Sequence, residues 1–208
     1  MKFSLALGIL FTSIICFGQS KNQKTFVTPI TIDKYFKDTF SFTSQWDYPW
    51  YIVINDSDMS MENILNRPIT KFDTVHQYHT ALCSTNHQGE HSVNYCDAFL
   101  LNDTIKIVFP PELPAYFGGL SLLVFKKSFQ SRFFAVYPFP YLDLSWKIKM
   151  QKLILDKESY NLGDTIKGYI EVEFVEFMTR RFHKKAKIKY YFKGYFKTPL
   201  LSNEKYSS

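Results

Sequence analysis

Apolar residues and lysines alternate along the last long stretch of the chain, with Tyr191 and Tyr195 also on the lysine face. Apolar side chains occupy positions 186, 188, 190, 192 and 196, and lysines occupy positions 185, 187, 189, 193 and 197. A period of two residues is typical of a β-strand with one buried and one solvated face. The same alternation begins at Trp146 and again at Lys167, which predicts three long consecutive strands. A change of parity after Lys152 predicts a β-bulge near that residue.

Shorter apolar runs predict further strands upstream. They span 25–32, 36–42, 50–54, 69–75 and 98–109, and the runs 120–125 and 132–137 are predicted to form a hairpin. Segment 60–65 is predicted to form one or two helical turns that end before Pro68, and the polar segment 80–93 is predicted to be an irregular loop.

The pattern as a whole predicts a mostly β protein built as an antiparallel β-sandwich, with one large or two small units. Pro138-Phe139-Pro140 marks the predicted boundary between a mostly β region at 19–141 and an antiparallel β region at 142–208.

One motif links two of the predicted long strands. From Leu155 to Gly168 the chain reads Leu-Asp-Lys-Glu-Ser-Tyr-Asn-Leu-Gly-Asp-Thr-Ile-Lys-Gly. The order of Tyr160, a Gly-Asp pair soon after it, and Gly168 inside the next strand resembles the start of the second strand in Ig-like sandwiches of the macroglobulin and arrestin type. The resemblance is carried by Tyr160 to Gly168 and implies an Ig-like sandwich fold. It implies a binding or spacing role and transfers no catalytic residue.

The first 18 residues have the pattern of a secretory signal. Lys2 precedes an apolar run, and Cys16 and Gly18 are the small residues that predict cleavage after Gly18. Lipoprotein processing at Cys16 is the alternative, although Ile15 is bulky where a small residue is expected. The run is shorter than the roughly 20 residues of a membrane span, and no later stretch approaches that length, so no transmembrane span is predicted. The Lys-, Phe- and Tyr-rich, Arg-poor composition is typical of a bacterial protein, which predicts a periplasmic or extracellular location.

Positive charge is concentrated in the C-terminal third. The formal charge of the chain is +6, and the residues from Lys147 onward include 14 basic and 7 acidic residues. The outward lysines of the last strand form a candidate surface for an anionic partner. That candidate surface comprises Lys185, Lys187, Lys189, Lys193 and Lys197.

Two alternatives weigh against a specific anionic ligand. Lysines can protect an edge strand from aggregation, and Glu171 and Glu173 on the neighbouring strand can pair with some of them. Aromatic residues between the lysines suit single-stranded nucleic acid. However, Lys outnumbers Arg by 21 to 4, and an exported protein seldom meets nucleic acid, so that partner is not expected.

One window, 76–96, combines several residues that could carry chemistry. It contains Cys83 and Cys96, which are predicted to form a disulfide because exported compartments are oxidising. A disulfide that closes this loop of about 14 residues would stabilise the fold by on the order of 3 kcal/mol. Four of the five histidines also lie here and are candidate zinc ligands, although their spacing matches no compact zinc template. They are His76, His79, His87 and His91, and the alternative is that they are ordinary solvated loop residues.

The sequence carries none of the local motifs of serine hydrolases, zinc proteases or P-loop nucleotide-binding proteins. We therefore expect an exported, non-enzymatic binding or interaction protein without a cofactor, whose partner is a protein or an anionic envelope component. The alternative function is a metal-binding protein or a metal-dependent enzyme that uses zinc at the His76–His91 cluster.

Overall fold

The computed structural model describes residues 26–36, 40–112, 116–136, 143–179 and 186–202. Within these ranges the chain is mostly β-strand, has one short 3₁₀ helix and contains no α-helix. The predicted signal at 1–18 and the boundary at Pro138-Phe139-Pro140 lie outside the described residues.

The regular elements are many short strands followed by three long ones. The short ones are Thr28–Pro29 (β1), Thr31–Ile32 (β2), the 3₁₀ helix Ser41–Ser44 (η1), Trp46–Asp47 (β3), Ile52–Ile54 (β4), Met61–Asn63 (β5), Gln77–Tyr78 (β6), Ala81–Thr85 (β7), His91–Val93 (β8), Asp97–Leu101 (β9), Thr104–Phe109 (β10), Gly118–Val124 (β11) and Ser128–Ala135 (β12). The long strands are Asp143–Leu155 (β13), Thr165–Thr179 (β14) and Ala186–Ser202 (β15).

Eleven of these strands form one sheet that is nearly closed. Their order is β1-β12-β11-β10-β9-β15-β14-β13-β2, with β7 beside β15 and β8 beside β7. Strand β15 joins the two halves, because its middle pairs with β7 and its end, from Leu200, pairs with β9. At the other side, β1 pairs with β12 while the next strand, β2, pairs with β13, so segment 28–32 bridges the gap.

The prediction of a mostly β protein is confirmed, but its finer description needs correction. The β15–β9 and β13–β2 pairings are parallel, so the sheet is mixed rather than wholly antiparallel. The sheet is barrel-like and is not clearly an Ig-like sandwich. Strands from both sides of the predicted 141/142 boundary belong to this one sheet.

Aromatic and aliphatic side chains from the two halves of the sheet meet in a single core. On the long strands, Ile170, Val172 and Phe192 are fully buried, as their alternation predicts. The ring centroid of Phe109 on β10 lies 5.1 Å from that of Phe192. Each such side chain contributes about 1.5–3 kcal/mol when it is fully buried, so the core is the main source of stability.

Four local predictions are wrong in detail. Segment 60–65 contains strand β5 rather than helical turns, and 71–74 forms a turn rather than a strand. The predicted loop 80–93 instead contains the β7–β8 hairpin. Strand β7 forms because β15 supplies its backbone hydrogen-bond partners, which the polar local sequence does not indicate. The bulge in β13 lies between Ile148 and Met150, earlier than the position predicted near Lys152.

The motif at Leu155 to Gly168 forms a hydrogen-bonded corner between β13 and β14. The Tyr160 hydroxyl donates a hydrogen bond to Asp156 Oδ1 at 2.7 Å, and the same oxygen accepts the backbone N–H of Lys167 at 3.1 Å. Gly163 has a φ of +86°, which suits glycine in this turn. The Tyr and Gly-Asp positions of the motif therefore have a local structural role.

Candidate functional site

Two of the four candidate histidines pack against the segment at Trp46–Asp47. The ring of His76 stacks on Trp46 with centroids 3.4 Å apart and 12° between the planes. His79 is largely buried, and its Nε2 lies 2.5 Å from Asp47 Oδ2. Both imidazoles are therefore held by residues outside the predicted histidine cluster.

The other two histidines lie elsewhere. His87 is fully buried, with its Nε2 3.2 Å from Glu176 Oε2. His91 stacks on Tyr116 with ring centroids 4.8 Å apart. In the described part of the chain, no group of three or more His, Cys, Asp or Glu side chains could hold a metal ion. The structure does not bring the four predicted ligands together.

Cys83 and Cys96 are both free and buried. The Cys83 thiol lies 3.5 Å from the carbonyl oxygen of Tyr195, and the Cys96 thiol lies 3.5 Å from that of Thr80. The disulfide expected from the sequence is not seen, since each thiol donates to a different backbone carbonyl. Burial raises the pKa of both thiols well above the usual range, which favours the protonated form.

The predicted lysine surface is described only in part. Lys185 lies outside the described residues, and Lys187 lies in β15. Lys189 and Lys193 are exposed. Lys193 lies directly across from Glu171 on β14. A carboxylate therefore interrupts the lysine surface at a position that the sequence predicted.

Two lysines of this surface also contact aromatic rings. Lys193 Nζ lies 4.9 Å from the ring centroid of Tyr191, and Lys197 Nζ lies 5.8 Å from that of Phe40. Strand β15 has β14 on one side and, over 192–196, β7 on the other. Over that stretch it is an interior strand, so protection of a sheet edge does not explain Lys193.

A cleft of about 860 Å³ lies between the segment 47–50 and the connections that flank β9 and β10. We call it the acidic cleft. Its aromatic lining comes from Tyr48, Trp50, Tyr78 and Tyr95, and its carboxylates come from Asp47, Asp97 and Glu112. None of the described lining residues is basic.

Short strand pairing positions one wall of the acidic cleft. Strands β3 and β6 pair antiparallel, with Trp46 opposite Tyr78 and Asp47 opposite Gln77. The backbone N–H of His79 donates to the carbonyl of Gln45 at 2.9 Å and continues this pairing. The backbone at Asp47 and Tyr78 is therefore held by hydrogen bonds even though the strands are only two residues long.

Asp47 is oriented by two side chains that approach the same oxygen. His79 Nε2 lies 2.5 Å from Asp47 Oδ2, and the Tyr95 hydroxyl donates to that oxygen at 3.1 Å. The Asp47 side chain itself remains about half exposed, at 52%. The carboxylate is thus held in one orientation and is still accessible from the cleft.

Glu112 and Asp97 are the more buried carboxylates. Glu112 follows Pro110-Pro111, which ends β10 because proline has no N–H for the strand ladder. It accepts hydrogen bonds from the backbone N–H groups of Asn94 and, at 3.2 Å, Tyr95. Burial raises the pKa of both Glu112 and Asp97, so their ionised forms are poorly solvated.

The acidic cleft could not be predicted from the sequence. Its carboxylates are scattered along the chain and form no motif. One signal was present: the run Trp46-Asp47-Tyr48-Pro49-Trp50-Tyr51 holds two of the three tryptophans, although only its last two residues belong to a predicted strand, 50–54.

Comparisons of the chain with protein-family models, with curated proteins and with solved structures find no significant match. Among the described residues, no helix has the length and apolar character required to cross a membrane.

Proposed function

We propose that the protein is an exported, non-enzymatic binding protein and that the acidic cleft is its binding site. The supporting observation is a set of solvent-exposed aromatic side chains that line one cleft. Trp50 and Tyr78 are 55% and 56% exposed, although burial of such rings is favourable. Exposed aromatic side chains that line a cavity are typical of binding sites, which gain affinity by covering them.

Two parts of this proposal, export and the fold family, rest on sequence patterns. The signal pattern at residues 1–18 supports export to the periplasm or beyond, with lipidation at Cys16 as the alternative. The motif from Tyr160 to Gly168 supports kinship with Ig-like sandwiches, many of which serve in binding. The exposed Lys189 and Lys193 support a second contact surface, for an anionic envelope component or protein.

The metal-binding alternative has no observation in its favour among the described residues. His76, His79, His87 and His91 face different partners. We therefore centre the proposal on the acidic cleft.

Intact mass of the protein recovered from an exporting host tests the export part. A chain that starts at Gln19 supports signal cleavage, and a lipid-sized addition at Cys16 supports the lipoprotein alternative. A chain that retains residues 1–18 contradicts export. A mass lower by two hydrogen atoms would support the Cys83–Cys96 disulfide.

Thermal-shift measurements with a panel of small amines, sugars and short peptides test the binding part. We expect at least one class to raise the Tm of the wild type but not of a Trp50→Ala, Tyr78→Ala variant. A ligand present at 100 times its Kd stabilises a protein by about 2.7 kcal/mol, which such scans resolve. The matched control is Tyr35→Ala, which removes an aromatic side chain that is 91% exposed and outside the acidic cleft. Shifts that persist in the cleft variant contradict the proposed site.

A further inference from the structure

We infer that the acidic cleft binds an organic cation, namely an alkylammonium or guanidinium group held between its carboxylates and its aromatic rings. This inference rests on the proposed function of the cleft as a binding site, and it names the chemical class of the ligand.

The charges that line the cleft are opposite in sign to the charge of the protein. The chain carries a formal charge of +6, yet the described lining has the carboxyl groups of Asp47, Asp97 and Glu112 and no basic residue. His79 lies behind Asp47 and, when protonated, offsets one of these charges. The remaining two carboxylates favour a cation and disfavour an anion within the cleft.

For both of the more buried carboxylates, burial is the largest effect on the pKa. Burial raises the pKa of Glu112 and of Asp97, because neither is fully solvated when ionised. Two backbone N–H donors and the nearby His79 favour the ionised form of Glu112, but burial is the larger effect. A cation in the cleft would supply the missing charge and favour ionisation of both groups.

Aromatic rings give the site its preference for an organic cation. Tyr48, Trp50 and Tyr78 line the cleft, and the faces of such rings attract ammonium and guanidinium groups. Tyr48 is oriented by edge-to-face contact with Trp46, with ring centroids 5.1 Å apart. The rings of one wall are therefore held in position before a ligand arrives.

Size and donor arrangement separate an organic cation from a metal ion. The cleft volume of about 860 Å³ is in the range of small-molecule sites, roughly 300–1,000 Å³, and far exceeds one ion. In the described chain, its carboxylates do not form a group of three or more side chains able to hold a metal. The group that fits has both a charge and an apolar body.

Calorimetric titration of the full chain with matched probes tests this inference. The probes are choline, its neutral isostere 3,3-dimethyl-1-butanol, glucose, and a short peptide with one central arginine. We expect a cationic probe to bind at least about tenfold more tightly than the neutral isostere, because only the cation gains the charge and ring interactions. Choline as the tighter cation indicates a free quaternary amine as ligand. The peptide as the tighter cation indicates a basic side chain.

Two variants keep the test independent of folding. Glu112→Gln retains the oxygen that accepts from Asn94 and Tyr95, and Asp97→Asn retains the shape of its side chain. We expect each to weaken binding of the cationic probe by about tenfold, with Tyr35→Ala unchanged. Equal affinity for choline and its neutral isostere would overturn the inference.

Failure of the inference can be distinguished from failure of the proposed function. If glucose or the neutral isostere binds at least as tightly as the cationic probes, and Trp50→Ala abolishes that binding, then the cleft is a binding site for a neutral ligand. The cation inference is then wrong and the proposed function stands. If no probe of any class binds in a manner that depends on Trp50, both are overturned.

Discussion

His87 Nε2 lies 3.2 Å from Glu176 Oε2 inside the hydrophobic core, where both side chains are almost fully buried. The indole N–H of Trp146 donates to the same carboxylate oxygen at 2.9 Å. The imidazole also packs against the ring of Phe133, with centroids 4.7 Å apart. A histidine from a polar hairpin turn therefore completes the core and pairs with a buried acid.

Replacing His87 with Ala should destabilise the fold strongly. The change removes a buried imidazole and one of the partners of Glu176, and breaking a buried pair costs about 3–5 kcal/mol. Urea unfolding measures the loss. His91→Ala is the control, because that side chain is only partly buried and should cost about 1 kcal/mol or less. If zinc raises the Tm of the wild type but not the Tm of either variant, the metal-binding alternative is favoured instead.

The pairing of β15 with β7 depends on Gly194. Its φ is +152°, and a Cβ at this position would overlap with the carbonyl oxygen of Leu82 and the Cα of Cys83. Gly194→Ala should therefore lower the free energy of unfolding by more than about 3 kcal/mol, since backbone must move as well as adopt a strained φ.

Gly163→Ala is the matched control for that variant. Gly163 also has a positive φ, of +86°, but a Cβ there would meet no atom within 4 Å. Its cost should be limited to backbone strain, about 1–2 kcal/mol. Equal losses in the two variants would show that close approach of β7 and β15 at Gly194 does not matter.

The corner between β13 and β14 depends on the Tyr160 hydroxyl. Tyr160→Phe removes its hydrogen bond to Asp156, and hydrogen bonds to charged groups contribute about 1.5–3 kcal/mol. Chemical denaturation should detect a loss in that range. Tyr169→Phe makes the same chemical change on the outer face of β14 and should alter stability by at most about 0.5 kcal/mol. If Tyr160→Phe leaves the free energy of unfolding unchanged, the motif has no role in the corner.

The sequence predicted those parts of the fold that local pattern determines. Ile170 and Phe192 are buried because each continues an alternation long enough to define a buried face. Strand β7 was missed because its formation depends on backbone partners in β15, which no local pattern encodes. Asp47 and Glu112 line one cleft only after β3 pairs with β6 and Pro110-Pro111 redirects the chain, so their proximity is a property of the fold.

The basic face predicts salt-sensitive binding to anionic vesicles. Lys189→Glu with Lys193→Glu should weaken co-sedimentation with such vesicles by at least about tenfold at low salt, since each lysine near an anionic surface contributes about 1 kcal/mol. Lys126→Glu with Lys127→Glu makes the same change of net charge in an exposed loop and should have a smaller effect. Equal effects would mean that only total charge matters, and undiminished binding would mean that the face is simply solvated.

Glu112 should make the stability of the protein and its ligand binding depend on pH in opposite directions. Its pKa in the folded state is raised above the ordinary value of 4.5, mainly by burial. The contribution of Glu112 to stability is therefore fully present below the unfolded pKa and is lost as pH rises through the folded pKa. Cation binding needs the ionised form, so it should strengthen over the same rise.

Glu112→Gln should separate these two effects. The variant keeps an oxygen for the N–H groups of Asn94 and Tyr95 and removes the poorly solvated charge. We expect the gain in stability of the variant over the wild type to be larger at neutral pH than at pH 4. The variant should bind choline weakly at both pH values. Asp47, His79, Tyr95 and Asp97 surround Glu112 or line the same cleft, and the variant leaves all four unchanged. Unfolding and titration series across that pH range measure both quantities. If the stability difference between wild type and variant does not change with pH, Glu112 is not the group whose burial is relieved by a cation.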